Sequence, residues 1–161
     1  MSEIIRVGMG DLNICKAPQG ITTLGLGSCV GIAVRDPSTK IGGMLHAMLP
    51  DSTQIRNNSN IAKFVDTGMD ELVKRMVAAG ANKNRLEAKL AGGAQMFQFQ
   101  KNNDLIGVGE RNAEAAVKKL KAMGIRLLAQ DTGLNYGRTV IFYPETGVYV
   151  IRAVGKPEKE I

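Results

Sequence analysis

Residues 22–49 constrain the architecture more than any other part of the chain. Residues 22–36 are rich in β-formers and bend around Gly25, Gly27 and Gly31, and the turn Asp36-Pro37-Ser38-Thr39-Lys40 closes the run. Residues 41–49 form another short apolar run, ended by Pro50-Asp51. Together with the β-type residues at 4–15, these runs predict adjacent antiparallel strands. They also leave Cys29 and the chain's one histidine, His46, a single hairpin apart.

The remaining segments predict a layered domain. Residues 4–15 carry β-type residues broken by glycine. Ile61, Phe64, Val65, Met69, Leu72, Val73, Met76 and Val77 recur at i, i+3/i+4, which predicts a helix capped by Ser59 or Asn60 and ended by Gly80. Residues 86–90 read as a strand leading to Gly92-Gly93-Ala94 and Met96-Phe97, with a polar loop at residues 101–104. A second helix is expected over residues 112–123, with Ala116, Val117, Leu120 and Met123 on one face and Gly124 just past its end. Strands follow at residues 125–130, 139–143 and 148–154, the last two joined by the turn Pro144-Glu145-Thr146-Gly147. The charged tail after Gly155 is expected to fray. Many short strands with two substantial helices predict an α/β or α+β layered fold.

At 161 residues, residues 1–161 are expected to form a single domain with a core that needs neither disulfide nor metal. The formal charge of +6 permits an acidic partner. The basic residues are dispersed, however, and only 4% of residues are aromatic, so no stacking platform interleaves with them. No nucleic-acid partner is therefore expected. The N-terminus lacks a basic region followed by an apolar run, and no stretch approaches the roughly 18 apolar residues of a membrane span. The expectation is a cytoplasmic protein without membrane insertion. Cys15 and Cys29 have no metal-ligand companions, which suits a reducing compartment and predicts no metal site.

Cys29 lies in Gly25-Leu26-Gly27-Ser28-Cys29-Val30-Gly31. Flanking glycines let the backbone bend sharply, expose the sulfur and free N–H groups for an oxyanion. A nearby imidazole could take the thiol proton and later donate it to a leaving group. Against this stands the ordinary role of cysteine as a small buried hydrophobe. Cys15, in Asn13-Ile14-Cys15-Lys16, has no such bend and reads as structural. A third group must orient the imidazole; Asp36, Asp51 and Thr23 are the candidates, and spacing does not choose among them. Ser28 fails the Gly-x-Ser-x-Gly elbow, because Leu26 and Val30 occupy the glycine positions. Gly25-x-Gly27 lacks the third glycine and following helix of a dinucleotide loop.

Several ordered blocks together resemble the CheD family of chemoreceptor glutamine deamidases. They are Leu24-Gly25-Leu26-Gly27-Ser28-Cys29-Val30, Gly43-Met44-Leu45-His46-Ala47-Met48-Leu49-Pro50, Lys89-Leu90-Ala91-Gly92-Gly93-Ala94-Gln95-Met96-Phe97, Gly109-Glu110-Arg111-Asn112, Gly137-Arg138 and Thr146-Gly147. Thr132-Gly133-Leu134-Asn135-Tyr136 departs from the family pattern, which would have a second glycine after Gly133. The resemblance implies an α+β fold, a layered β/β/α sandwich of mostly antiparallel strands similar to the catalytic domain of cytotoxic necrotizing factor toxins. It implies a triad of Cys29 as nucleophile, His46 as general base and acid, and Thr23 orienting His46, with no cofactor. It implies deamidation of glutamines on the cytoplasmic helices of methyl-accepting chemotaxis receptors, with receptor methylesterase activity as a second use of the same chemistry. A CheC-type phosphatase is the implied protein partner. The matched loops Gly92-Gly93-Ala94 and Arg111-Asn112 read equally as site-shaping elements and as fold-defining turns. The competing functional readings are a non-enzymatic regulator that mainly binds the phosphatase, and a thiol redox switch at Cys29 or Cys15.

Overall fold

The structure, a computed structural model, describes residues 3–96 and 107–161. Phe97, the expected loop at residues 101–104 and Ile106 lie outside the described residues. Two five-stranded sheets stack face to face, and two helices cover the outer face of one of them. The strands are β1 (Ile4–Val7), β2 (Asp11–Lys16), β3 (Gly20–Leu26), β4 (Val30–Asp36), β5 (Ile41–Ala47), β6 (Glu87–Gly92), β7 (Arg126–Thr132), β8 (Arg138–Tyr143), β9 (Val148–Arg152) and β10 (Lys159–Glu160). The helices are α1 (Val65–Ala78) and α2 (Val108–Ala122). The first sheet runs β1-β3-β8-β9-β10 and the second β2-β5-β4-β6-β7. Each is mostly antiparallel and mixed through one parallel pair, β1 with β3 and β6 with β7. The expected α+β class and layering are therefore present.

The period-2 pattern of the second sheet explains this layering. Val30, Ile32 and Val34 of β4, Leu45 and Ala47 of β5, and Ala88 and Leu90 of β6 point to the helices. They meet Val65, Met69, Leu72, Val73 and Met76 of α1 and Ala116 and Leu120 of α2. The alternate residues Ala33, Met44 and Ala91 face the first sheet. There they meet the bulkier Ile21, Leu26, Val140, Phe142, Tyr149 and Ile151. Both faces of β4 and β5 are buried, which is why these strands read as near-continuous apolar runs. An ion pair, Lys119 Nζ to Asp70 Oδ1 at 2.9 Å, joins the two helices.

Four expectations need correction. Residues 4–15, 22–36 and 41–49 are not all adjacent antiparallel strands: the 27–29 bend splits 22–36 into β3 and β4 of different sheets, and β1 pairs parallel with β3. The first helix does not start at residue 61. Residues 61–63 form a 3₁₀ turn capped by the Asn60 side chain, and Phe64 is extended and bridges Leu49. The Val65 N–H donates to the Leu49 carbonyl, so a tertiary contact overrides the helical period there. The second helix begins at Val108, four residues before the predicted start. The tail is not loose: β10 pairs with β9, and Tyr149 and Ile161 exchange both backbone hydrogen bonds. Arg152–Glu158 and Lys159–Asp131 ion pairs anchor the same segment.

Candidate active site

Strands β3 and β4 are consecutive in the chain but lie in different sheets, and the bend Gly27-Ser28-Cys29 carries the chain across. Cys29 therefore sits at the crossing point. β4 and β5 pair antiparallel with Gly31 opposite His46. His46 follows Met44 by two on β5 and shares its face, whereas Cys29 lies in the bend, one residue before β4 begins. That face looks toward the first sheet, where Cys29 joins the cluster of Leu26, Ala33, Met44 and Tyr149.

Thr23 comes from the opposite sheet. It follows Ile21 on the inward face of β3, just before a bulge between Thr23 and Leu26 where Gly25 takes φ +67°. Its hydroxyl Oγ1 lies 2.7 Å from His46 Nδ1 and 2.7 Å from the Val7 carbonyl oxygen. A carbonyl can only accept and a hydroxyl has one hydrogen, so that hydrogen goes to Val7. Nδ1 must then be the donor to Thr23. The neutral ring is the Nδ1–H tautomer, with its lone pair on Nε2. Nε2 is buried and has no hydrogen-bond partner among the described residues. The network thus leaves one unpaired basic nitrogen between the sheets.

Burial sets the electrostatics. His46 is fully buried, and desolvation pushes its imidazole below the ordinary 6.5. Cys29 is 9% exposed, and desolvation raises its thiol above the ordinary value, opposed weakly by its own backbone N–H. Both shifts favour the uncharged forms, a thiol and a neutral imidazole. Where a neutral thiol and a neutral imidazole come within hydrogen-bond reach, sulfur can attack as its proton passes to the ring.

The other sequence candidates fall elsewhere. Asp36 lies at the far end of β4, where its carboxylate accepts from Arg85 Nε at 3.0 Å and Nη2 at 2.8 Å and from the N–H of Asn82 and Ser38. Arg85 and these N–H groups hold it well below the usual carboxylate range. Asp51 caps a 3₁₀ turn through Thr53. Neither approaches the imidazole. Cys15 lies on β2 opposite Gly42, and burial pushes its thiol up to about 12.

Of three supports around the bend, Gly92-Gly93-Ala94 and Asn112 lie in matched sequence blocks, and Tyr149 carried no sequence signal. Tyr149, wholly buried on β9, donates its hydroxyl to the Gly31 carbonyl at 2.9 Å, bracing the sheets opposite His46. The Gly92-Gly93-Ala94 block holds the Cys29 bend: Gly93 N–H donates to Cys29 O at 2.8 Å and Ala94 N–H to Gly27 O at 2.9 Å. Asn112 reaches in from α2 to the same bend. A cavity of about 660 Å³ opens beside this block, between α2 and the 130–134 segment. Cys29 and His46 do not line it.

A thiol, an imidazole and a hydroxyl arranged in this order, across two sheets of an α+β sandwich, have the chemistry of a cysteine-dependent hydrolase. Sequence comparison is more specific. Residues 48–153 match the family described as CheD chemotactic sensory transduction. A probable chemoreceptor glutamine deamidase CheD of Lachnoclostridium phytofermentans is 62% identical over the whole of both chains. A protein of the same description from Caldanaerobacter subterraneus is 50% identical over 99% of each. The chemoreceptor glutamine deamidase CheD of Halalkalibacterium halodurans is 48% identical over the full length of both. The chain belongs to the CheD family.

Proposed function

We propose that this protein is a chemoreceptor glutamine deamidase with Cys29 as nucleophile, His46 as general base and acid, and Thr23 as the group that orients His46. The observation that carries this reading is the Thr23–His46 hydrogen bond, which leaves Nε2 as an unpaired base on the face of β5 that looks into the inter-sheet cluster containing Cys29. His46 Nε2 takes the thiol proton while sulfur attacks the carboxamide carbon of a receptor glutamine. The N–H groups of Ser28 and Cys29 donate to no carbonyl among the described residues and are available to the oxyanion. His46 then protonates the departing ammonia, leaving a glutamyl thioester. Water, deprotonated by His46, attacks the thioester; glutamate leaves and the thiol is regenerated.

The slight exposure of Cys29 supports a slender substrate. A glutamine side chain presents its carboxamide at the end of a thin stem, so it enters where a backbone amide would not. The positive charge of the chain suits an acidic receptor helix. Residues 1–161 act as one catalytic unit in the cytoplasm, where the receptor helices lie. Among the described residues no helix is long and apolar enough to cross a membrane. Family resemblance alone supports three further parts of the proposal: a fold like that of the cytotoxic necrotizing factor catalytic domain, a CheC-type phosphatase partner, and methylesterase activity on receptor glutamyl esters.

The test is mass spectrometry of a recombinant receptor cytoplasmic fragment incubated with the protein. Conversion of specific glutamines to glutamate is expected, and it should vanish in Cys29→Ala and His46→Ala. Persistent deamidation by Cys29→Ala would show that the nucleophile lies elsewhere.

A further inference from the structure

The β4–β5 ladder ends at the pair Val30–Ala47, one residue short of Cys29 on one strand and of Met48 on the other. Beyond that point the two chain segments are joined through Asn112. Its side chain is fully buried, and Nδ2 lies 2.9 Å from the Ser28 carbonyl and 2.9 Å from the Met48 carbonyl. A carboxamide nitrogen carries two hydrogens, so one goes to each carbonyl and the amide orientation is fixed. Ser28 immediately precedes the thiol residue, and Met48 follows the imidazole residue by two. One side chain from α2 thus clips the Cys29 bend to the end of the His46 strand.

The other end of the same amide points to its purpose. Asn112 Oδ1 is buried and has no donor among the described residues. Burying an acceptor without a partner costs stability, so packing alone would favour an apolar side chain here. Two donors on one nitrogen, aimed at two carbonyls that flank the site, are what asparagine supplies and an apolar residue does not. The α2 backbone is held close enough to do this because Gly109 lies directly against the Gly93–Ala94 peptide: a Cβ at Gly109 would stand 2.7 Å from the Gly93 carbonyl carbon.

We propose that Asn112 is a positioning residue that sets the alignment of the Cys29 thiol with His46 Nε2. The proposal rests on the reading of Cys29 and His46 as nucleophile and base. It assigns Asn112 no contact with substrate. Its loss is expected to slow proton transfer between the pair while leaving receptor binding in place.

Two variants test this, Asn112→Asp, which keeps the shape and loses donors, and Asn112→Ser, which is shorter. Leu120→Ala, a core truncation on the same helix, serves as a control for destabilisation alone. Two readouts apply: steady-state deamidation of the receptor fragment, and the rate of Cys29 alkylation by iodoacetamide against pH, referred to His46→Gln. Both Asn112 variants should lower kcat by about tenfold or more with KM nearly unchanged. Their alkylation profiles should approach that of His46→Gln, and Leu120→Ala should keep the wild-type profile even with a lowered Tm. The alkylation readout needs no receptor, so it judges the positioning role even if the deamidase reading fails in the receptor assay. Wild-type alkylation and kcat in both Asn112 variants would overturn the proposal. So would losses no greater than those of Leu120→Ala, or failure of both variants to fold, which would make Asn112 a structural residue.

Discussion

Thr23 Oγ1 stands 2.7 Å from His46 Nδ1 and at the same time donates to the Val7 carbonyl, so a strand of one sheet fixes the tautomer of a base on the other. A hydroxyl orients the ring without bringing negative charge. An aspartate in this place would stabilise the imidazolium as well. The contribution of Thr23 is therefore worth one or two hydrogen bonds, about 1–3 kcal/mol. At about 1.4 kcal/mol per tenfold change, Thr23→Val should reduce kcat roughly 10- to 100-fold with little effect on KM. Thr23→Ser keeps the hydroxyl and should retain most of the activity. Equal losses in the two variants, measured by receptor deamidation, would show that the methyl group and not the hydroxyl matters.

The buried imidazole gives the protein a signature against pH. His46 titrates below 6.5 in the folded protein and near that value when unfolded. Between those two values the unfolded chain binds a proton that the native state does not, so stability falls as pH drops through this window. Above 6.5 the contribution is fully present; below the folded value it is lost and changes no further. Urea unfolding at pH 7.5 and 5.5 should show this decline in the wild type, and His46→Gln should show less of it. The acid limb of kcat/KM should likewise lie below 6.5, because protonating Nε2 removes the base. An acid limb clearly above 6.5 would mean that a charged neighbour, and not burial, governs the ring.

The two thiols should behave differently. Burial pushes Cys15 up to about 12, and it has no base beside it. Cys29 is also raised, but it is slightly exposed and lies at the bend where the chain crosses between the sheets. Iodoacetamide at pH 8 should therefore label Cys29 and spare Cys15 in the folded protein, and label both in urea. Peptide mapping reads this directly. Labelling of native Cys15 would revive a redox role for that residue. Labelling of Cys29 alone fits both enzyme and sensor, so the receptor assay separates them.

The β4–β5 hairpin that holds His46 and begins one residue after Cys29 was legible in the sequence, because glycines and a turn framed two adjacent strands. Thr23 could not be selected by spacing. It lies on a strand that the 27–29 bend sends into the other sheet, and short-range patterning does not reveal a crossing. One signal was present: Ile21 and Thr23, like Met44 and His46, alternate onto inward faces. A polar residue at such a core position marks a site where function overrides packing. Asn112 and Tyr149 act over separations of 84 and 118 residues, and no local pattern encodes such contacts. α1 starts later than the apolar period predicts for the same reason, since the Leu49–Phe64 bridge is a tertiary contact. The C-terminal tail reads as charged and loose, yet a two-residue strand and two ion pairs hold it to the sheet edge.

Gly92 offers the sharpest test of how backbone supports the nucleophile. Its φ is +104°, a region that side chains strain to adopt, and a Cβ there would stand 2.3 Å from the Cys29 carbonyl oxygen. The obstacle is backbone, so no rotamer change relieves it. The Cys29 carbonyl must move, and with it the hydrogen bond from Gly93 N–H. Strain and overpacking together should cost Gly92→Ala about 3 kcal/mol of stability, read by chemical denaturation. Stability alone would leave a folded fraction with normal turnover. Displacement of the Cys29 peptide predicts more: kcat per folded molecule should fall at least tenfold, because the thiol leaves its alignment with Nε2. Gly31→Ala provides the comparison. Its Cβ would meet side-chain atoms, Tyr149 Oη at 2.8 Å and Leu26 Cδ1 at 2.9 Å, which can shift by rotation. It should lose stability through the Tyr149–Gly31 hydrogen bond while retaining more turnover than Gly92→Ala. Equal turnover per folded molecule in the two variants would show that the Gly92 contact does not control the thiol.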